Sequence, residues 1–262
     1  MIRVGLALVG LVAGCGPAAH PRAPADAPPL RILVMGNSHA SLHDLAAMLA
    51  AMVEALGPGR AVEAVAAPGW LFLDERSRDP ASLELLRAGG FAFVVLQAQR
   101  TSSSWRTAYS TAGAEALIRA ARAAGGVPVL FPEWPRRGVD EARRIFAVHA
   151  AIAQREPACV APVGQAFDLA RAVVPGVPLH ADDGNHAARA GAFLAALVLA
   201  GAIAGRSPEG VPYLPQFAVD FDLQARLRHV AGRTLERSAE LLPCDGGAAG
   251  GPGRSGAAGL RL

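Results

Sequence analysis

Along this chain, short runs of branched and aromatic residues alternate with longer alanine-rich stretches of helical period. The runs Arg31–Met35, Ala61–Ala66, Phe91–Leu96, Val127–Phe131 and Cys159–Val163 read as strands. Ser41–Leu56, broken by Gly57-Pro58-Gly59, reads as a helix, as do Thr111–Ala124, stopped by Gly125-Gly126, and Val139–Gln154. Ala187–Ala204 and Leu223–Leu242 follow as two further helices. Near-continuous apolar strands separated by helices imply a parallel sheet covered on both faces, hence a three-layer α/β/α sandwich with a central parallel sheet. In such a sheet the chemistry lies outside the carboxyl ends of the strands. The apolar stretch Ala192–Ile203 is shorter than the ~20 residues of a membrane span, so it is expected to be a buried helix.

The ends read differently from the middle. Met1-Ile-Arg3 is a positive start, Val4 to Val12 a short apolar run, and Val12-Ala13-Gly14-Cys15 a small-residue cleavage site, the order of a secretory signal peptide. A cysteine directly after Ala-Gly resembles a bacterial lipobox, which implies that Cys15 carries lipid and anchors the mature chain in the cell envelope, facing the periplasm or exterior. The expected division is a signal peptide over 1–14, a Pro/Ala-rich tether over 15–30, a folded domain over 31–242 and a Gly/Ala-rich disordered tail over 243–262. A chain of 262 residues is long enough for one such domain with a sizeable core.

Charge narrows the function classes. The net charge is +3, and all 25 basic residues are arginines scattered among acids, so no nucleic-acid footprint is expected. With Cys15 assigned to lipid, Cys159 and Cys244 remain, and an exported compartment permits but does not require a disulfide between them. No CxxC or His/Cys cluster has metal spacing, so neither metal nor cofactor is expected, and a monomer is the simplest reading.

Three residues carry the candidate chemistry. Arg31 to His39 reads as a buried strand running into a turn, Gly36-Asn37-Ser38, with Ser38 at its tip. His180-Ala-Asp-Asp-Gly-Asn-His186 places Asp183 three residues before His186. A serine is a weak nucleophile unless an imidazole takes its proton, and the imidazole needs a carboxylate to fix its tautomer. Ser38, His186 and Asp183 therefore form a candidate triad, against a reading in which Ser38 only caps the helix that follows. His186 is expected at the N-terminal edge of a helix, whose dipole would help keep it neutral. Asp182 competes with Asp183 for the acid role. His39 and His43 flank the serine with no evident proton to move, and His149 and His180 read as structural.

These two blocks, Gly36-Asn37-Ser38 and Asp183-Gly184-Asn185-His186, in this order, are similar to those of the SGNH (GDSL-type) hydrolases, with Asn37 where Asp is usual. The resemblance covers residues 31–204. It implies a flavodoxin-like SGNH hydrolase fold, a serine esterase or acylhydrolase activity, and Asp183 rather than Asp182 as the acid. It also implies an oxyanion hole built from the Ser38 N–H, a glycine after the second strand, matched by Gly69, and a side-chain amide after the third. There the usual Gly-x-Asn-Asp is replaced by Leu96-Gln97-Ala98-Gln99-Arg100, so Gln97 is expected to be the donor, with Gln99 as the alternative. Trp70 and Glu133 are expected to contact substrate, together with Gln99. The implied substrate is an ester, such as a short acyl group on a glycan. An O-acyltransferase on the same triad, or an inactive glycan-binding lipoprotein, are the competing readings.

Overall fold

The computed structural model describes residues 27–57, 59–238 and Cys244. The expected signal peptide, the lipidated Cys15, most of the tether and the glycine-rich tail lie outside these residues.

Five strands form one sheet: β1 (Leu30–Met35), β2 (Val62–Ala66), β3 (Phe93–Gln97), β4 (Val127–Phe131) and β5 (Cys159–Val160). Their order is β2-β1-β3-β4-β5 and every pair is parallel. Alternate residues of each inner strand face opposite layers, as the pleat requires. Ile32, Val34, Val95, Val129 and Phe131 enter one core with α2 (Leu45–Ala55), α7 (Val163–Val173), α8 (Arg189–Ala204) and α9 (Phe221–Arg237). Leu33, Met35, Val94, Leu96 and Leu130 enter the other, with α4 (Pro80–Ala88), α5 (Ala112–Ala123) and α6 (Ala142–Arg155). The result is the three-layer α/β/α fold. Cys159 and Cys244 are joined by a disulfide, with Cα atoms 4.9 Å apart.

Every residue from Ala190 to Ile203 in α8 is buried, so this apolar stretch is a core helix. No helix among the described residues is long and apolar enough to cross a membrane.

Several boundaries and elements depart from expectation. Val163 starts α7 instead of ending β5, and Val163, Ala166, Phe167 and Ala170 line the helix's buried face. The segment from 42 to 44 is a separate 3₁₀ turn, and His43 and Asp44 both have positive φ, 60° and 55°. Two helices without an expected counterpart, α3 (Leu73–Arg76) and α4, fill the connection from β2 to β3. In α4, Asp79 caps the N-terminus, Pro80 takes the first position and Gly89 ends the helix at φ 67°.

The strand order reverses between β1 and β3. In an open parallel sheet this switch point opens a crevice at the carboxyl ends of the strands. The turn after β1 and the end of β3 both lie there, so Ser38 and Gln97 come to the same crevice.

Candidate active site

The turn after β1 is shaped by Gly36. A Cβ at that position would lie 2.4 Å from Gln97 Oε1 and 2.6 Å from the Ala40 methyl, so only glycine lets the strand end pass beneath the buried glutamine. Asn37 then caps the four-residue helix α1 (Ser38–Ser41): its Oδ1 accepts the His39 N–H at 3.0 Å. Because Asn37 caps the helix, Ser38 Oγ is free for another partner. That partner is His186, whose Nε2 lies 2.9 Å from Ser38 Oγ.

The second block folds as a tight Asx-type turn. Asp183 Oδ1 accepts the N–H groups of Asn185 and His186, each at 2.9 Å, and Oδ2 accepts His186 Nδ1–H at 2.5 Å. These bonds, the one to the His186 side chain first, hold the Asp183 carboxyl well below the usual carboxylate range. With Nδ1 carrying the proton, Nε2 presents a lone pair to the Ser38 hydroxyl. Asp182 is exposed and makes no side-chain hydrogen bond among the described residues. Helix α8 begins only at Arg189, so His186 does not stand at a helix N-terminus, contrary to the expectation from sequence, and its ring is oriented by Asp183.

Both neighbours of His186 are gripped from the serine side. His43 Nε2–H donates to the Ala187 carbonyl at 3.1 Å. Asn185 Nδ2 donates to His39 Nε2 at 3.1 Å, and the Asn185 carbonyl accepts Trp134 Nε1–H at 2.9 Å. His39 stacks on the buried Trp134, with ring centroids 5.0 Å apart, and meets His186 edge-on at 4.9 Å. Arg137 completes the hold: its N–H donates to the Gly184 carbonyl at 2.8 Å, and its guanidinium bonds the carbonyls of His180 and Ala181. His39 and His43 lie beside the serine as the sequence implies, whereas nothing in the sequence signals that Trp134 and Arg137 hold this turn. His180 and His149 are structural. Their Nε2–H and Nδ1–H donate to the carbonyls of Pro135 and Ile145 respectively, and burial lowers both pKa values.

The glutamines correct the expectation for the oxyanion donor. Gln97 is fully buried; its Oε1 accepts the Asn37 N–H at 2.9 Å and its Nε2 donates to Glu133 Oε2 at 2.9 Å. Gln99, also buried, spends its amide on the carbonyls of Arg100 and Ser110, each at 3.2 Å. Both side chains brace loops. The extra methylene of glutamine carries the amide past the turn and onto Glu133, where an asparagine would stop short. Gly69 stands in the left-handed region at φ 78° on the exposed loop after β2. Neither its N–H nor that of Ser38 has a hydrogen-bond partner among the described residues. Trp70 beside it is 65% exposed.

Glu133 is the hub of the buried side. Its Oε2 accepts His39 Nδ1–H at 3.0 Å as well as the Gln97 amide. It also borders a polar cavity of about 270 Å³, lined further by His39, Thr101, Ser103, Arg136 and Asn185. A larger groove of about 580 Å³, between α7 and α9, shares no residue with this site.

No family model matches the chain, and no curated protein matches it either. Among solved structures, one neighbour is a protein from Slackia heliotrinireducens proposed to be an SGNH hydrolase. It is 29% identical over 66% of this chain and 98% of its own, with a TM-score of 0.52. The chain is thus similar to an SGNH-type hydrolase in both sequence and fold. A DUF4886 family protein from Bacteroides uniformis shares the fold, with a TM-score of 0.64 at 16% identity over 80% of this chain and 95% of its own. Against the SGNH pattern, Asn37 replaces the usual acid as cap of the nucleophile turn, and the third block supplies buried braces in place of an open amide.

Proposed function

We propose that this protein is a serine ester hydrolase of the cell envelope, acting through Ser38, His186 and Asp183. The observation that carries the reading is the hydrogen-bonded chain Ser38 Oγ–His186 Nε2, 2.9 Å, and His186 Nδ1–Asp183 Oδ2, 2.5 Å, at the switch point of the sheet. In the first step, His186 Nε2 takes the Ser38 proton as Oγ bonds to the acyl carbon. The carbonyl oxygen then carries a full negative charge. The free N–H groups of Ser38 and Gly69 are the donors that receive it. His186 returns the proton to the departing alcohol, leaving an acyl-serine. Water then adds to that ester, giving its proton to His186, and the carboxylic acid leaves as Ser38 Oγ recovers a proton.

The polar cavity bounded by Glu133, Thr101, Ser103 and Asn185 supports an alcohol rich in hydroxyl groups, such as an acetylated glycan, over a long-chain lipid ester. The envelope address rests on the Val12-Ala13-Gly14-Cys15 segment, with Cys15 as the lipid-bearing residue. Mass spectrometry of the mature N-terminus tests it: a diacylated Cys15 is expected, and an unmodified one removes the anchor without touching the enzyme. The activity is tested with p-nitrophenyl esters of increasing chain length and with acetylated polysaccharide. Wild type should favour acetyl esters and Ser38→Ala should be inert but folded. Hydrolysis that survives Ser38→Ala overturns the reading.

A further inference from the structure

Arg76 is fully buried, yet no carboxylate lies within ion-pair distance of it among the described residues. Its partners are backbone. Nη2 donates to the carbonyls of Gly36 at 2.6 Å and Gly69 at 2.7 Å, while Nη1 donates to the Pro68 carbonyl at 3.1 Å and to Ser82 Oγ at 3.0 Å. Its Nε has no partner among the described residues. Burying a guanidinium without a counter-ion in contact is costly, and here burial pushes its pKa below the ordinary value while the charge of Asp79 opposes the shift. Asp79 acts through an intermediary: its Oδ2 accepts both the hydroxyl and the N–H of Ser82, at 2.7 and 2.8 Å.

The bonded carbonyls belong to the two loops that flank the serine. Gly36 lies two residues before Ser38, and Pro68 and Gly69 form the loop after β2. The Pro68 carbonyl and the Gly69 N–H share one planar peptide unit and point in opposite directions. A charged donor on that carbonyl fixes the direction of the N–H and makes it a stronger donor. The Gly36 carbonyl is likewise paired with the Asn37 N–H, which Gln97 receives at 2.9 Å.

We propose that Arg76 is a positioning residue for oxyanion stabilisation, tying the Ser38 turn to the Gly69 loop and aiming the Gly69 N–H through its hold on the Pro68 and Gly69 carbonyls. The inference rests on the serine-esterase reading above. A plain structural role would cost stability, or activity on every ester alike. A positioning role costs activity where the developing oxyanion matters. The test therefore pairs p-nitrophenyl acetate with its thiono analogue, in which sulfur, a weak hydrogen-bond acceptor, replaces the carbonyl oxygen.

In the full chain, Arg76→Lys should lower kcat on the oxygen ester by roughly 10–10²-fold with KM nearly unchanged, and lower the rate on the thionoester by less than about 3-fold. Equal losses on the two esters, or no loss in a folded variant, overturn the proposal. Should Arg76→Lys fail to fold, Ser82→Ala removes one anchor and leaves the guanidinium in place. It should show the same contrast in smaller measure, and its absence is equally fatal. An inactive wild type indifferent to Ser38→Ala ends this inference together with the esterase reading. A Ser38-dependent wild type with fully active Arg76 variants ends this inference alone.

Discussion

Two acid–histidine pairs meet at this site, with ring centroids 4.9 Å apart. In each, a carboxylate accepts the proton of Nδ1: Asp183 from His186 at 2.5 Å, and Glu133 from His39 at 3.0 Å. The carboxylate therefore cannot tell base from brace. The far nitrogen does. His186 Nε2 faces the Ser38 hydroxyl, a group with a proton to give, whereas His39 Nε2 is closed by the Asn185 amide. Surroundings follow the same division, for the His186 pair opens to solvent while His39 is buried against Trp134. The pair that can move a proton is the accessible one, and the buried pair holds it in place through Asn185.

The largest effect that separates the pairs is expected from His186→Ala, which should cut kcat by roughly 10⁴–10⁶-fold with little change in KM. Asp183→Asn, read in the same ester assay, should cost about 10³–10⁴-fold, because the imidazole loses its fixed tautomer. Since Asp183 is held below the ordinary carboxylate range, it stays ionised throughout neutral and mildly acidic solution and adds no change of rate there. His39→Ala should be milder, roughly 10-fold in kcat, through loosening of the Asn185–His186 turn. A His39 variant as crippled as His186→Ala would erase the distinction between the two pairs.

Gln97→Ala sharpens the comparison from the buried side. It strips the Asn37 N–H and Glu133 of a partner and opens a cavity, so thermal or urea unfolding should show a loss of about 2–4 kcal/mol. Smallest is a pH effect. Burial lowers the His149 pKa, so below the ordinary value of about 6.5 the unfolded chain binds a proton that the folded chain refuses. Stability is then complete above about pH 6.5 and declines on acidification. His180 adds a slope of the same sign. His149→Leu should flatten part of the fall in Tm between neutral and acid pH, and an unchanged slope would contradict this.

What could be read from sequence follows the range of the interactions. Asp183 and His186 are three residues apart, and their turn is local chemistry, so the pair was legible. Strands β1 and β4 were legible because their apolar runs are bounded by turn residues. Glu133 and His39 are 94 residues apart, and only the fold brings them together. Arg76 gave no signal either, since its four partners include three backbone carbonyls that no side-chain pattern encodes. The glutamines differ for a related reason: an amide in this block is expected to face the cleft, whereas Asn37 and Glu133 claim Gln97 from within. Helix α4 was different. Asp79-Pro80 at its start and Gly89-Gly90 at its end are start and stop signals, and α7 carries a clear apolar period at Val163, Ala166, Phe167 and Ala170. Both helices are legible in these local signals.

Covalent trapping asks whether Ser38 is a nucleophile activated by His186. The intact protein is exposed to a fluorophosphonate, digested, and the modified residue located by mass spectrometry, alongside His186→Ala under the same conditions. A single phosphonyl adduct on Ser38 is expected in the wild type, formed far more slowly in the variant. A folded wild type that stays unlabelled, or one labelled at another residue, contradicts it.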